Sequence, residues 1–296
     1  MKNNFLPPAL YILAATLATV SALPGHQQQP VIRVKVPLVE VYASVYDRGG
    51  QYVEGLVRDS FRVFEDGKPQ QITDFEADSG KLSCAILLDT TGSMNEALPH
   101  VKNSIVKLID ILRPEDAVAV FTFDRRLVVR QEFTTDKAAA KRAVLRTRAE
   151  GQTALFDALS EVVQEISERP GKKALVVFSD GDDNASVLNA NSAVTRAKKA
   201  GIPLYAIAEG EATRSRELRK LLDDISKRTG GASYQAKRPS DIEEVFQKIA
   251  TDLRHLYMLA YRPESVSEAG RWRKIEVVLA GPKDFRVRAK EGYFPE

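Results

Sequence analysis

Between Lys81 and Leu256 the chain alternates continuous apolar runs with amphipathic stripes, and few folds accommodate that order. Leu82–Leu88, Ala117–Phe123, Ala174–Phe178 and Pro203–Ala208 are apolar almost throughout, as strands buried on both faces must be. After the first of them, Leu98, Val101, Ile105, Leu108, Ile109 and Leu112 recur at helical spacing until Pro114 ends the run. Lys137–Leu145 predicts a short helix, and Thr153–Ile166 a longer one with Leu155, Ala158, Leu159, Val162 and Ile166 on one stripe. Ser192–Ala200 reads as a helix stopped by Gly201, and Leu218–Ser226 as one capped by Gly230 or Gly231. Ala232–Tyr234 is a brief edge strand, and a last helix starts at Asp241 with Ile242, Val245, Phe246, Ile249 and Leu253 inward. This order predicts an α/β fold: a doubly wound, mostly parallel sheet with helices on both faces, because right-handed crossovers connect such strands.

The flanks have a different character. Over residues 31–47, Val39, Val41, Ala43 and Val45 alternate with Glu40, Tyr42, Ser44 and Tyr46, which is the period of a strand. Phe61–Glu65 is another strand, and Asp66-Gly67 turns it towards Ile72–Phe75. Leu256–Tyr261, Trp272–Leu279 and Phe285–Lys290 return to β character after the last helix. The expected division is therefore a small β-sandwich-like domain from both chain ends, residues 31–78 and 257–296, around an α/β insert at 79–256. A second, separate β unit at the C-terminal end is the alternative.

At the start, Lys2, the apolar stretch Leu10–Val20 and the small residues Val20-Ser21-Ala22 have the layout of a signal peptide over residues 1–22, with an uncleaved anchor as the other reading. Residues 23–30 are a polar leader. Export to the periplasm or beyond the cell is the expectation, with no membrane span once the leader is removed. Cys84 is the single cysteine and lies in an apolar run, so it reads as a core thiol rather than a disulfide partner. A formal charge of +3 without long basic runs argues against nucleic acid as a partner.

Asp89-Thr90-Thr91-Gly92-Ser93 follows the first buried strand, Thr153 begins a helix after the Glu150-Gly151-Gln152 turn, and Asp180-Gly181 ends another strand. Each piece alone reads as a helix cap or a turn. Together they set two carboxylates and three hydroxyls beyond the carboxyl ends of parallel strands, where such sheets bind ligands. Hard divalent cations take oxygen donors in this mixture, magnesium especially.

These residues resemble the metal-ion-dependent adhesion site of the von Willebrand factor type A (vWA) domain. That family carries a D-x-S-x-S motif, a Thr in a second loop and an Asp in a third. Asp89, Thr91 and Ser93 match the first, with Thr in place of the usual Ser at 91; Thr153 and Asp180 match the others. Gly151–Leu159 and Phe178–Gly181 are similar to the family's second and third site segments. The resemblance implies the Rossmann-like vWA fold, a bound Mg²⁺ (Mn²⁺ or Ca²⁺ in its place), and a non-enzymatic module that binds an Asp or Glu of a partner protein. It also implies that the last helix, residues 241–255, can shift with metal coordination. The flanks, with Phe64-Glu65-Asp66-Gly67-Lys68-Pro69 and Arg286-x-Arg288-x-Lys290-x-Gly292-Tyr293, are similar to a class of exported bacterial proteins related to this domain, found notably in acidobacteria.

Asp182, Asp183 and Asn184 are expected on the rim of the same site, as water-orienting or simply solvated residues, and Arg125 and Arg126 as steering charges or an ordinary charged loop. Two rivals stand beside adhesion: a structural envelope protein with a stabilising metal, and a metal-dependent hydrolase. Thr91 occupies the place where an aspartyl phosphatase needs its second Asp, and Gly-x-Ser-x-Gly and phosphate-loop motifs are absent.

Overall fold

Strands buried on both faces form the middle of the molecule, and the chain winds helices onto each side of them. The computed structural model describes residues 38–77, 80–149, 151–179, 183–209, 215–236, 238–263, 270–281 and 284–295. The expected signal and leader segments at residues 1–30, the first part of the expected strand at residues 31–37, and Asp180 to Asp182 lie outside the described residues.

In chain order the elements are β1 (Val39–Tyr46), β2 (Phe61–Glu65), β3 (Lys68–Gln70), β4 (Ile72–Glu76), β5 (Leu82–Asp89), α1 (Leu98–Ile111), β6 (Ala117–Phe123), β7 (Leu127–Thr134), α2 (Lys137–Leu145), α3 (Leu155–Ser167), β8 (Lys172–Ser179), α4 (Ala190–Ala200), β9 (Leu204–Glu209), α5 (Arg216–Thr229), β10 (Ala232–Ala236), α6 (Pro239–Arg254), β11 (Tyr257–Tyr261), β12 (Arg273–Leu279), β13 (Arg286–Ala289) and β14 (Gly292–Tyr293). The central sheet runs β10-β9-β8-β5-β6-β7. Its first five strands are parallel and β7 is antiparallel to β6. Every residue of β5 and β8 is buried, which is why their sequences carry no alternation. Cys84, Ile86 and Leu88 pack with α1, α2 and α6 on one face. Ala85 and Leu87 pack with α3, α4 and α5 on the other. Cys84 is the expected core thiol, and burial pushes its ionisation up to about 12, so it stays protonated and inert.

Three differences from the sequence expectation have plain causes. The edge strand β7 was not anticipated: it is paired along one side, and its mixed residues leave Val128 and Val129 exposed. Helix α3 starts at Leu155 rather than Thr153, which frees Thr153 for the loop. The Asp66-Gly67 hairpin leads to β3, with Glu65 opposite Lys68; β4 crosses to another sheet and pairs with β11. Asp66 and Gly67, at φ 49 and 80, supply the two positive angles that a two-residue hairpin of this type requires.

Both chain ends build two antiparallel four-stranded sheets, β13-β1-β11-β4 and β14-β12-β2-β3. Their facing sides share a core of Val39, Val41, Val45, Phe61, Val63, Tyr257, Leu259, Tyr261, Ile275 and Val277. A polar pin crosses it. The Glu65 carboxylate accepts hydrogen bonds from Tyr261 (2.6 Å), Tyr293 (2.9 Å) and the Arg273 guanidinium (2.6 Å). Glu65→Gln keeps the shape and removes the charge, so a loss of about 2 kcal/mol is expected, read as a lower urea midpoint at unchanged slope.

The outer face of β1 is not solvated, although it alternates in polarity: Tyr42, Ser44 and Tyr46 are all buried. There Asp252 of α6, fully buried, accepts from Ser44 Oγ (2.9 Å) and Tyr46 OH (3.1 Å) and is bonded by Tyr205 OH and the Arg288 guanidinium. Burial opposes the charge on Arg288, but Tyr205, Asp252 and Tyr46 outweigh it and hold its proton more firmly than usual.

Candidate metal centre

Strand order places the loops. β6 lies on one side of β5 and β8 on the other, so the carboxyl ends of β5 and β8 flank the point where the winding reverses. Asp89 is the last residue of β5, and Asp180 follows the last residue of β8 directly.

The Asp89 carboxylate is wholly buried. It accepts the Thr91 backbone N–H at 2.9 Å through one oxygen and the Ser179 hydroxyl at 2.8 Å through the other. Thr90 anchors the turn to the neighbouring strand, donating both its backbone N–H and its hydroxyl to the Phe123 carbonyl. Gly92–Asn95 then forms one turn of 3₁₀ helix, and Thr91 occupies its cap position without using its side chain as a cap. Instead Thr91 Oγ1 lies 3.0 Å from Ser93 Oγ. Thr91 is 2% exposed and Ser93 is open to solvent.

The second loop is tied to the first and the third. Gly92 N–H approaches the Gly151 carbonyl at 3.5 Å. Gly151 sits at φ 93, and a Cβ there would meet the Asp124 side chain at 2.8 Å, so glycine is required. Thr153 is 4% exposed; its N–H donates to Asn184 Oδ1 (3.1 Å), and its carbonyl accepts from the N–H groups of Asn184 and Ala185 (both 3.0 Å). Ala154, not Thr153, occupies the cap position of α3. Among the described residues the Thr153 hydroxyl makes no hydrogen bond, so the helix-cap reading does not account for it.

Asp89, Thr91 and Ser93 are thus brought together, and Thr153 is carried on the adjoining loop. Asp180 lies outside the described residues. Two rim residues have local tasks: Asp183 accepts from Phe156 N–H (2.9 Å) at the start of α3 and from Ser186, while Asn184 holds Thr153. Asp182 lies outside the described residues. Sequence reasoning passed over Ser179 as a partner of Asp89, and Asp157, which receives the N–H groups of Val187 and Leu188 (both 2.8 Å). Asp157 sits in the first turn of α3, a position that favours carboxylates and was the available signal. Arg125 is tied to Gln152, two bonds to one amide oxygen, which fixes a cation beside the Thr153 loop.

A family model for the von Willebrand factor type A domain matches residues 84–248, more than half of the chain. The chain belongs to the von Willebrand factor type A family. Domains of this family mediate protein–protein interactions. YfbK of Escherichia coli is 24% identical over 199 residues, 62% of this chain and 34% of that protein. The protein sll0103 of Synechocystis sp. is 32% identical over 107 residues, 34% of this chain and 26% of its own length. The chain therefore spans about a quarter to a third of the curated relatives it matches. A solved von Willebrand factor type A structure from Catenulispora acidiphila superposes with a TM-score of 0.53 at 14% identity, covering 88% of this chain and 74% of that one. At that identity the likeness shows the fold.

The residues of this vWA domain suit a small hard cation by their donors: carboxylate and hydroxyl oxygens in short turns, with neither sulfur nor imidazole among those described. No helix among the described residues is long and apolar enough to cross a membrane.

Proposed function

We propose that this vWA domain is an exported adhesion-type module that binds an acidic side chain of a partner protein through a divalent ion, Mg²⁺ by preference, held by Asp89, Thr91, Ser93, Thr153 and Asp180. The observation that carries this reading is that Thr91 and Thr153, both buried on adjoining loops, spend neither hydroxyl on capping a helix, where the buried Asp89 carboxylate ends its strand at the switch point of the sheet. When bound, the ion supplies an open coordination position to a visiting carboxylate. The chain does the rest. Ser179 and the Thr91 N–H orient the Asp89 carboxylate, and the Asp183 and Asp157 latches hold the third loop against α3. Neutral hydroxyls outnumber carboxylates in the donor set, which leaves positive charge for the partner. Arg125, fixed by Gln152, adds to the attraction of an acidic surface.

Capture from envelope extract tests this reading directly. With Mg²⁺ the domain is expected to retain a defined partner that chelator releases and that Asp180→Ala fails to retain. Retention that is indifferent to both chelator and Asp180→Ala would exclude a metal-mediated contact.

A further inference from the structure

The later turns of α3, from Ser160 to Ser167, line a space that shares no residue with the candidate metal centre. A cavity of about 610 Å³ opens between the sandwich and the α3–α4 face, within the size range of small-molecule pockets. Leu38, Val163, Ala200, Ile202 and Phe294 give it apolar walls. Its charged residues are Lys173, Arg196, Lys199, Lys290 and a single carboxylate, Glu40.

Glu40 is already engaged. It pairs with Lys173 at 2.9 Å and accepts the Tyr42 hydroxyl at 2.9 Å. Among the described residues, that leaves Arg196, Lys199 and Lys290 without a carboxylate in ion-pair contact. Arg196 and Lys199, one turn apart on α4, are exposed at the mouth. Lys290 is different, because it is 4% exposed. Among the described residues it forms no hydrogen bond or ion pair; its ammonium lies 5.7 Å from the Tyr293 ring centre. Burial lowers its proton affinity, to about 8, against the attraction of Glu40. The one cavity carboxylate among the described residues, Glu40, is already paired with Lys173, so the buried ammonium is only partly compensated, and a perturbed buried group lining a cleft marks a candidate ligand site. The chain that leads into Leu38 does not supply it: residues 1–37 contain no Asp or Glu.

We infer that this cavity binds a small organic anion, its carboxylate or phosphate head on Lys290, Arg196 and Lys199 and its apolar body against Val163, Ala200 and Ile202. The site is independent of the candidate metal centre: its ligand needs no divalent ion, and chelator is expected to leave binding unchanged.

Calorimetric titration of the full chain with octanoate and with octyl phosphate tests the assignment, and the tighter of the two identifies the head group. Saturable one-to-one binding of at least one is expected. 1-Octanol, with the same body and no charge, should bind at least tenfold more weakly. Lys290→Met should lose tenfold or more in affinity while leaving the melting temperature unchanged or raised, since it removes an unpaired buried charge. If that variant proves unstable, Arg196→Ala with Lys199→Ala, both on the surface, replaces it, with a loss of threefold or more. The inference falls if neither anion binds, if 1-octanol binds equally well, or if neither variant weakens binding. It falls as well if Glu296→Gln tightens the anion tenfold, because Glu296 would then be the counter-charge; unchanged affinity in that variant is the expected result.

Discussion

Asp252→Ala is expected to destabilise the protein by roughly 3–5 kcal/mol, the usual consequence of leaving one member of a buried ion pair alone. Four groups from three strands depend on this carboxylate: Ser44 and Tyr46 of β1, Tyr205 of β9 and Arg288 of β13. Removing it strands a guanidinium whose side chain is 27% exposed, together with three hydroxyls in a space that excludes water. For a chain of this size the melting temperature should fall by on the order of 10 °C. A double-mutant cycle gives the sharper result. Arg288→Met added to Asp252→Ala should recover part of the loss, because the uncompensated charge goes with it. Strict additivity of the two changes would show that the pair is not coupled. The same carboxylate anchors α6 to the terminal sheets, so any displacement of that helix has to break or carry these four bonds.

On the proposed reading, in which the ion binds the folded state alone, saturating Mn²⁺ or Mg²⁺ is expected to raise the stability of the wild-type chain by about 2.7 kcal/mol at a metal concentration one hundred times the Kd. Differential scanning calorimetry in metal and in chelator reads this as a shift of the melting transition. Asp89→Ala should abolish the shift. Because Asp89 also orders its own turn through Thr91 and Ser179, a second variant is informative: Thr91→Ala removes one hydroxyl from the donor set and leaves that turn's backbone bonds in place. It should reduce the shift strongly, while Thr91→Ser, which restores the family's usual residue, should preserve it. A wild-type transition indifferent to every divalent ion tested would exclude a metal site here.

The central sheet was legible because burial on both faces writes itself locally: Leu82–Leu88 and Ala174–Phe178 are apolar at every position or nearly so. Edge strands leave no such record. Leu127–Thr134 pairs along one side and exposes half its residues, so its composition resembles a loop. The candidate-site residues stood out in the sequence for a different reason. Each sits at a strand end or just before a helix, and the alternation of elements brings those ends to one edge of the sheet. What the spacing did not convey is how the donors are held: Ser179 on Asp89, or Asn184 and Asp183 on the start of α3.

The amino-acid sequence alone determined the order of strands and helices, the two-sided burial of the sheet, and the gathering of Asp89, Thr91, Ser93 and Thr153 into loops at its carboxyl edge. Tertiary structure decided that the polar side of β1 faces Asp252 rather than water, that Glu65 meets Arg273 and Tyr293, and that Lys290 lines a cavity whose Glu40 carboxylate is paired with Lys173. The division has a physical cause. Periodicity reports how one segment is buried, and that information is local; partners separated by some 200 residues meet through strand register and packing, which no local pattern encodes.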